Sequence, residues 1–209
     1  MTFNYMILTS KMALIIVYIG NLPWYFPYFL HSCYYNPSID FFIFTDNKEE
    51  LSNVPPNVHL IPYSIEQFKT DASNALDFNV TIESGYKLCD FKPAYGLIFE
   101  NWIKGYDFWG YCDIDIIFGN IRNFMTDELL NEYDVISARH DYLTGCFALY
   151  RNNSFMRELF KQSKDYRKVF TEERNFYCVG TPFNALSCII TEDCMPTWIM
   201  NVSSRWTVC

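Results

Sequence analysis

Paired metal-binding thiols are missing from this chain. None of its eight cysteines stands in a Cys-x-x-Cys pair, and only three histidines occur in 209 residues. That excludes a structural zinc site of the finger or ribbon kind. Positive charge is also scarce: Lys and Arg number 16 against 24 Asp and Glu, for a net charge of -8 and a pI near 4.8. Non-specific nucleic-acid binding and adsorption to anionic membranes need basic surfaces, and this balance argues against both. No apolar run approaches the ~20 residues of a membrane-spanning helix. The early run Ala13–Ile19 is short and ends in Gly20-Asn21-Leu22-Pro23, not in a small-residue cleavage site, so it reads as a buried strand and not as a secretory signal. A cytoplasmic protein is expected on that ground, and the sequons at Asn79, Asn152 and Asn201 carry no weight. Internal repeats and low-complexity segments are absent too.

What is present is material for a core. Half the residues are apolar and 19% are aromatic, a composition for one folded domain and not for a disordered chain. Cys112 and Cys146 lie inside apolar runs, so the cysteines read as reduced, buried thiols. Pairing within Cys178–Cys209 stays open. Ala13–Ile19 is continuously apolar and β-branched at its centre, as a parallel strand covered on both faces is. An aromatic helix over Trp24–Tyr35 follows. Asp40–Thr45, Val58–Ile61, Tyr106–Cys112, Val135–Ala138 and Phe147–Tyr150 read as further strands. Ile65–Thr70 reads as a brief helix and Asp71–Ser84 as a polar surface excursion. Tyr86–Trp102 is helix-rich with an interruption near Pro93, Ile121–Asn131 a turn and short helix, and Asn153–Lys164 an amphipathic helix. A helix at Phe183–Ile190 and an ordered stretch at Trp198–Val202 complete the tail. Strands alternating with helices predict an α/β domain with a mostly parallel central sheet flanked by helices, over residues 13–209, with residues 1–12 as an N-terminal extension.

The most informative run is Tyr106-Asp107-Phe108-Trp109-Gly110-Tyr111-Cys112-Asp113-Ile114-Asp115. Strands are poor in Asp, because a buried carboxylate needs a partner. In an extended strand Asp113 and Asp115 would share a face about 6.5–7 Å apart. At a strand end, two such carboxylates suit a hard divalent cation, Mg2+ or Mn2+. Upstream, Lys87, Asp90 and Lys92 can project from one helical turn, and a lysine facing a diphosphate would supply charge this acidic chain lacks. An ordinary i,i+3 salt bridge fits Lys87 and Asp90 as well. Tyr18, Gly20 and Asp46 fall just past the first two strands, where open α/β sheets bind ligands. An Asx-turn role fits Asp46 equally. The loop Ser137–Cys146 carries His140 and Asp141 and can face an acceptor, whereas His31 and His59 read as structural.

Together, Ile16–Pro23, Asn36-Pro37 through Phe44-Thr45-Asp46, Tyr86–Pro93 and Gly105–Asp115 resemble an uncharacterised group of predicted glycosyltransferases with a GT-A-like fold. The likeness spans about residues 13–175. A more distant similarity is to transferases with the DXD sugar-binding motif. The resemblance implies transfer of a sugar from a nucleotide-diphosphate donor, a UDP- or GDP-sugar, to a hydroxyl acceptor in glycan or polysaccharide synthesis. It implies Asp113 and Asp115 as metal and diphosphate ligands, and Asp90 as a nucleotide or donor-sugar contact. Lys87 or Lys92 would be a phosphate contact, and Tyr18 and Asp46 would flank base and ribose. The chain departs from the pattern beyond about residue 176, where no clear acidic pair follows and the acceptor half reads as diverged or truncated. That departure supports an alternative: a degenerate transferase fold that binds a nucleotide sugar or glycan without turnover. A phosphatase with an Asp-x-Asp nucleophile is disfavoured, because Ile117 holds the fifth position, where Thr or Val is wanted.

Overall fold

In the computed structural model, residues 9–49, 51–138 and 143–176 are described. Six strands run as β1 (Met12–Tyr18), β2 (Ile39–Thr45), β3 (Val58–Pro62), β4 (Phe108–Cys112), β5 (Val135–Ser137) and β6 (Phe147–Arg151). They form one sheet in the order β3-β2-β1-β4-β6-β5. β3, β2, β1 and β4 pair in parallel, whereas β6 lies antiparallel to both β4 and β5. The sheet is therefore mixed, where a mostly parallel one was expected. The reversal follows from connection length: only residues 138–146 separate β5 from β6, and a parallel return needs a crossover of a dozen residues or more.

Strand periodicity divides the core. On β1, Ala13 and Ile15 face one side with Phe42, Phe44, Trp109 and Tyr111, while Met12, Leu14 and Ile16 face the other with Phe41, Ile43 and Phe108. α1 (Phe26–Tyr34) covers the second side through Phe26, Phe29, Leu30 and Cys33, the i, i+3, i+4, i+7 spacing of a helix face. α4 (Asp127–Glu132) adds Leu130 to that side. The first side is covered by α2 (Ile65–Leu76), a 3-10 helix (Gly85–Ala94), and α3 (Tyr95–Ile98). α5 (Ser154–Arg157), a 3-10 turn at Leu159–Gln162, and α6 (Tyr166–Thr171) complete this layer.

α2 runs well past Thr70 into the stretch expected as a surface excursion. Ser64 caps it by accepting from the Gln67 N–H, Phe68, Ala72 and Leu76 form its buried stripe, and Asp77 ends it in the left-handed conformation at φ 59°. The amphipathic helix expected over Asn153–Lys164 is two short pieces instead. Residues 177–209, with the expected tail helix, lie outside the described residues. The four described cysteines, Cys33, Cys89, Cys112 and Cys146, are free thiols.

Gly110 lies opposite Leu149 in the β4–β6 pairing. A methyl group there would overlap the Ala148 carbonyl and press on Leu149 and Leu14. Gly110→Ala should destabilise the fold by about 1–3 kcal/mol or more, read from the urea midpoint. An unchanged midpoint would contradict the β4–β6 pairing.

Candidate functional site

The strand order changes direction at β1. From β1 the chain builds outward through β2 and β3, then returns to place β4 on the other flank. Between the carboxyl ends of two strands whose connections leave in opposite directions, a crevice opens, and ligands of open α/β sheets bind there. A cleft of about 580 Å³ occupies this position, lined by residues 16–19, by Cys112–Asp115, and by part of the 3-10 helix. The backbone leaves β4 at Cys112 and turns at Ile114 and Asp115. Ile114 is buried and anchors the turn, which leaves Asp113 partly exposed and Asp115 exposed on the cleft wall.

The 3-10 helix sorts the upstream motif. With three residues per turn, positions i and i+3 eclipse. Tyr86, Cys89 and Lys92, and then Tyr95, form one stripe, and all four line the cleft. Lys87 and Asp90 belong to another stripe and point into the core. An α-helical turn would have gathered Lys87, Asp90 and Lys92; the tighter helix separates them. Lys87 is fully buried, and its ammonium donates to the Asp90 carboxylate at 2.9 Å and to the carbonyls of Val169 and Arg174, each at 2.7 Å. The three donors of the ammonium are thereby used. Asp90 also accepts from the Phe176 N–H at 2.9 Å. The pair fastens the segment after α6 to the core and does not line the cleft, so Lys87 is not placed as a phosphate contact nor Asp90 as a donor contact. This is the i,i+3 pair, buried instead of solvated.

Lys92 is the cleft's fixed cation. Only 7% exposed, it donates to the Asp113 carboxylate and to the Gly145 carbonyl at 2.8 Å, with its ammonium 5.7 Å from the Tyr111 ring centroid. The Gly145 loop is held in turn: the Tyr111 hydroxyl donates to the Thr144 carbonyl at 3.1 Å, and the Thr144 N–H donates to the Ser137 hydroxyl at 3.1 Å. Burial pushes the Cys89 thiol above its ordinary value, opposed by the Lys92 charge. Cys89 is therefore a neutral thiol near pH 7, not an anionic nucleophile.

Tyr18 lines the cleft, and its hydroxyl donates to the Asn21 carbonyl at 3.2 Å. Asp46 lies outside it. Its carboxylate accepts the Gly20 N–H at 2.7 Å and ties the end of β2 to the turn after β1. Gly20 holds φ +116°, a backbone setting that favours glycine. Gly20 and Asp46 thus shape the wall without forming it. His140 and Asp141 lie outside the described residues. Tyr25 and Tyr86 also line the cleft and were not singled out from sequence. The period-three spacing of Tyr86, Cys89 and Lys92 was the available signal for the second, and the position of Tyr25 just after the first strand's turn for the first.

Among the described residues, no three His, Cys, Asp or Glu side chains gather as a metal cluster. Asp113 and Asp115 offer hard oxygen donors that suit Mg2+ or Mn2+, ions that commonly keep water and substrate phosphate as their other ligands. No described helix is long and apolar enough to cross a membrane. The chain belongs to a family of unknown function, DUF6625, whose model matches residues 14–191. Membership in that family assigns no activity. No curated protein matches the chain.

Removing Lys87 should harm the fold more than removing Lys92. Lys87→Met takes the cation from a carboxylate whose side chain is 2% exposed, whereas Lys92→Met leaves Asp113, 38% exposed, within reach of water. The first should cost about 3–5 kcal/mol and the second clearly less, measured by urea denaturation. Equal losses would contradict the assignment of Lys87 to the core and Lys92 to the cleft.

Proposed function

We propose that this chain is a glycosyltransferase of GT-A-like architecture, moving a sugar from a UDP- or GDP-sugar to a hydroxyl acceptor in glycan or polysaccharide synthesis. One observation carries the reading: Asp113 and Asp115 both line the β1/β4 switch-point cleft, with the buried Lys92 ammonium on Asp113. A diphosphate entering a protein of net charge -8 needs local positive charge, and Lys92 provides it at a fixed position. Asp113 and Asp115 would hold Mn2+ or Mg2+, which neutralises and orients a departing diphosphate. The volume falls within the ~300–1,000 Å³ of small-molecule sites. Tyr18, Tyr25 and Tyr86 on the cleft wall supply flat faces against which a base or sugar ring can pack. The Gly145 carbonyl holds the Lys92 ammonium, which in turn donates to Asp113, so the first carboxylate is oriented before any ligand arrives.

A second reading, a transferase fold that binds a nucleotide sugar without turnover, draws on the same pair. Asp113 is already matched by Lys92, and a cation has to share that carboxylate. Release of free sugar and nucleoside diphosphate from the donor, with or without acceptor, favours the enzyme.

A thermal-shift panel of UDP, GDP, CDP and their common sugars, with and without Mn2+, tests both readings. A ligand at ~100 times its Kd should raise Tm by roughly 5–10 °C for a chain of this size. The shift should require Mn2+ and be lost in Asp113→Asn/Asp115→Asn. No shift from any nucleotide in folded protein would overturn the proposal.

A further inference from the structure

The outer face of α1 is aromatic where a solvated helix carries charge. Trp24, Tyr28, His31 and Tyr35 recur at i, i+4, i+7 and i+11, one stripe of a helix. Trp24, Tyr28 and Tyr35 are 82%, 57% and 62% exposed. With Tyr34, they make up half of the eight exposed large apolar residues among the described ones. No Asp, Glu, Lys or Arg occurs anywhere from Met12 to Ile39, in a chain whose net charge is -8. The stripe borders a groove of about 870 Å³ between α1 and the loop before β3. No Asp, Glu, Lys or Arg lines that groove; its polar groups are His31, Ser52, Asn53 and the hydroxyls of Tyr28 and Tyr34.

The stripe also reaches the cleft. Trp24 packs edge-on against Tyr25, which lines the cleft, at 5.7 Å, and against Tyr28, which lines the groove, at 6.2 Å. The track runs from Trp24, in the turn before α1, to Tyr35, just after it; the nine residues of α1 alone rise about 13 Å, longer than one sugar ring. Aromatic faces are electron-rich and attract the polarised C–H face of a pyranose, while hydroxyl and amide groups take the sugar's hydroxyls. An uncharged surface in an acidic protein neither repels nor selects charge. Resting on the transferase reading, we infer that the α1 face and its groove bind the acceptor, and that the acceptor is an uncharged oligosaccharide lying along the helix with its end at the cleft.

The test is binding of neutral hexasaccharides (cello-, laminari-, malto-, xylo- and chito-series) to the whole chain by calorimetry, with the monosaccharides as controls. At least one hexasaccharide should bind and its monosaccharide should not. Trp24→Ala/Tyr28→Ala should weaken binding roughly tenfold or more. Both side chains lie outside the core, so the variant should keep the nucleotide-induced thermal shift, and Asp113→Asn/Asp115→Asn should keep the oligosaccharide. Failure of the transferase reading removes the nucleotide shift alone; failure of the present inference removes the oligosaccharide alone. Three results would overturn the inference: no hexasaccharide binds, binding is indifferent to Trp24 and Tyr28, or those substitutions instead abolish self-association or sedimentation with phosphatidylcholine/phosphatidylglycerol vesicles.

Discussion

The structure depends on β1 being paired in parallel on both flanks. Seven residues with no charge among them, Met12–Tyr18, carry β2 on one edge and β4 on the other. Both faces are buried, so the strand is apolar throughout. Because the chain leaves β1 toward β2 and comes back beside it as β4, the connections at the two carboxyl ends leave in opposite directions. The turn after β1 is tied by Asp46 to Gly20, and the turn after β4 by the Lys92 contacts to Asp113 and Gly145. Asn36 adds a third restraint: its amide donates to the Gly119 carbonyl, and its carbonyl oxygen accepts the Ile121 N–H. The segment following Asp115 is thereby fixed to the end of α1.

Two lysines in one 3-10 helix show how local geometry divides labour. Lys87 and Lys92 differ by five residues, which at three per turn puts them on different faces. One is fully buried, its ammonium 5.0 Å from the Phe176 ring centroid, and a buried ammonium has to be satisfied completely. The other remains at a wall where its partner carboxylate meets solvent. The first is worth stability; the second supplies the positive charge that an acidic protein must have if it is to receive an anion.

Much of the sheet was legible in the sequence. The cores of all six strands stand out as apolar runs bounded by Gly, Pro, Asn or Asp, and the ends moved by one or two residues. The turn carrying Asp113 and Asp115 was legible for the same reason: carboxylates directly after an aromatic strand violate strand chemistry. Helices fared less well. α2 buries only Phe68, Ala72 and Leu76, too sparse a stripe to show against polar neighbours. The segment 85–94 carries Pro93 and a period of three, which an α-helical reading misplaces. The antiparallel edge was hidden because short strands buried on both faces do not reveal their direction. The cleft as a whole depends on the crossing at β1, a long-range feature, so the place of Tyr25 after the first strand's turn marks it only once the strand order is known.

The central claim is that Asp113 and Asp115 hold a divalent cation together with a nucleoside diphosphate in the β1/β4 cleft. Titration of Mn2+ followed by its paramagnetic resonance signal, with UDP or GDP and with or without the protein, addresses this directly. The account predicts that protein and nucleotide together remove more free-ion signal than the sum of each alone, and that Asp115→Asn abolishes the excess. An identical signal with and without the protein would contradict it.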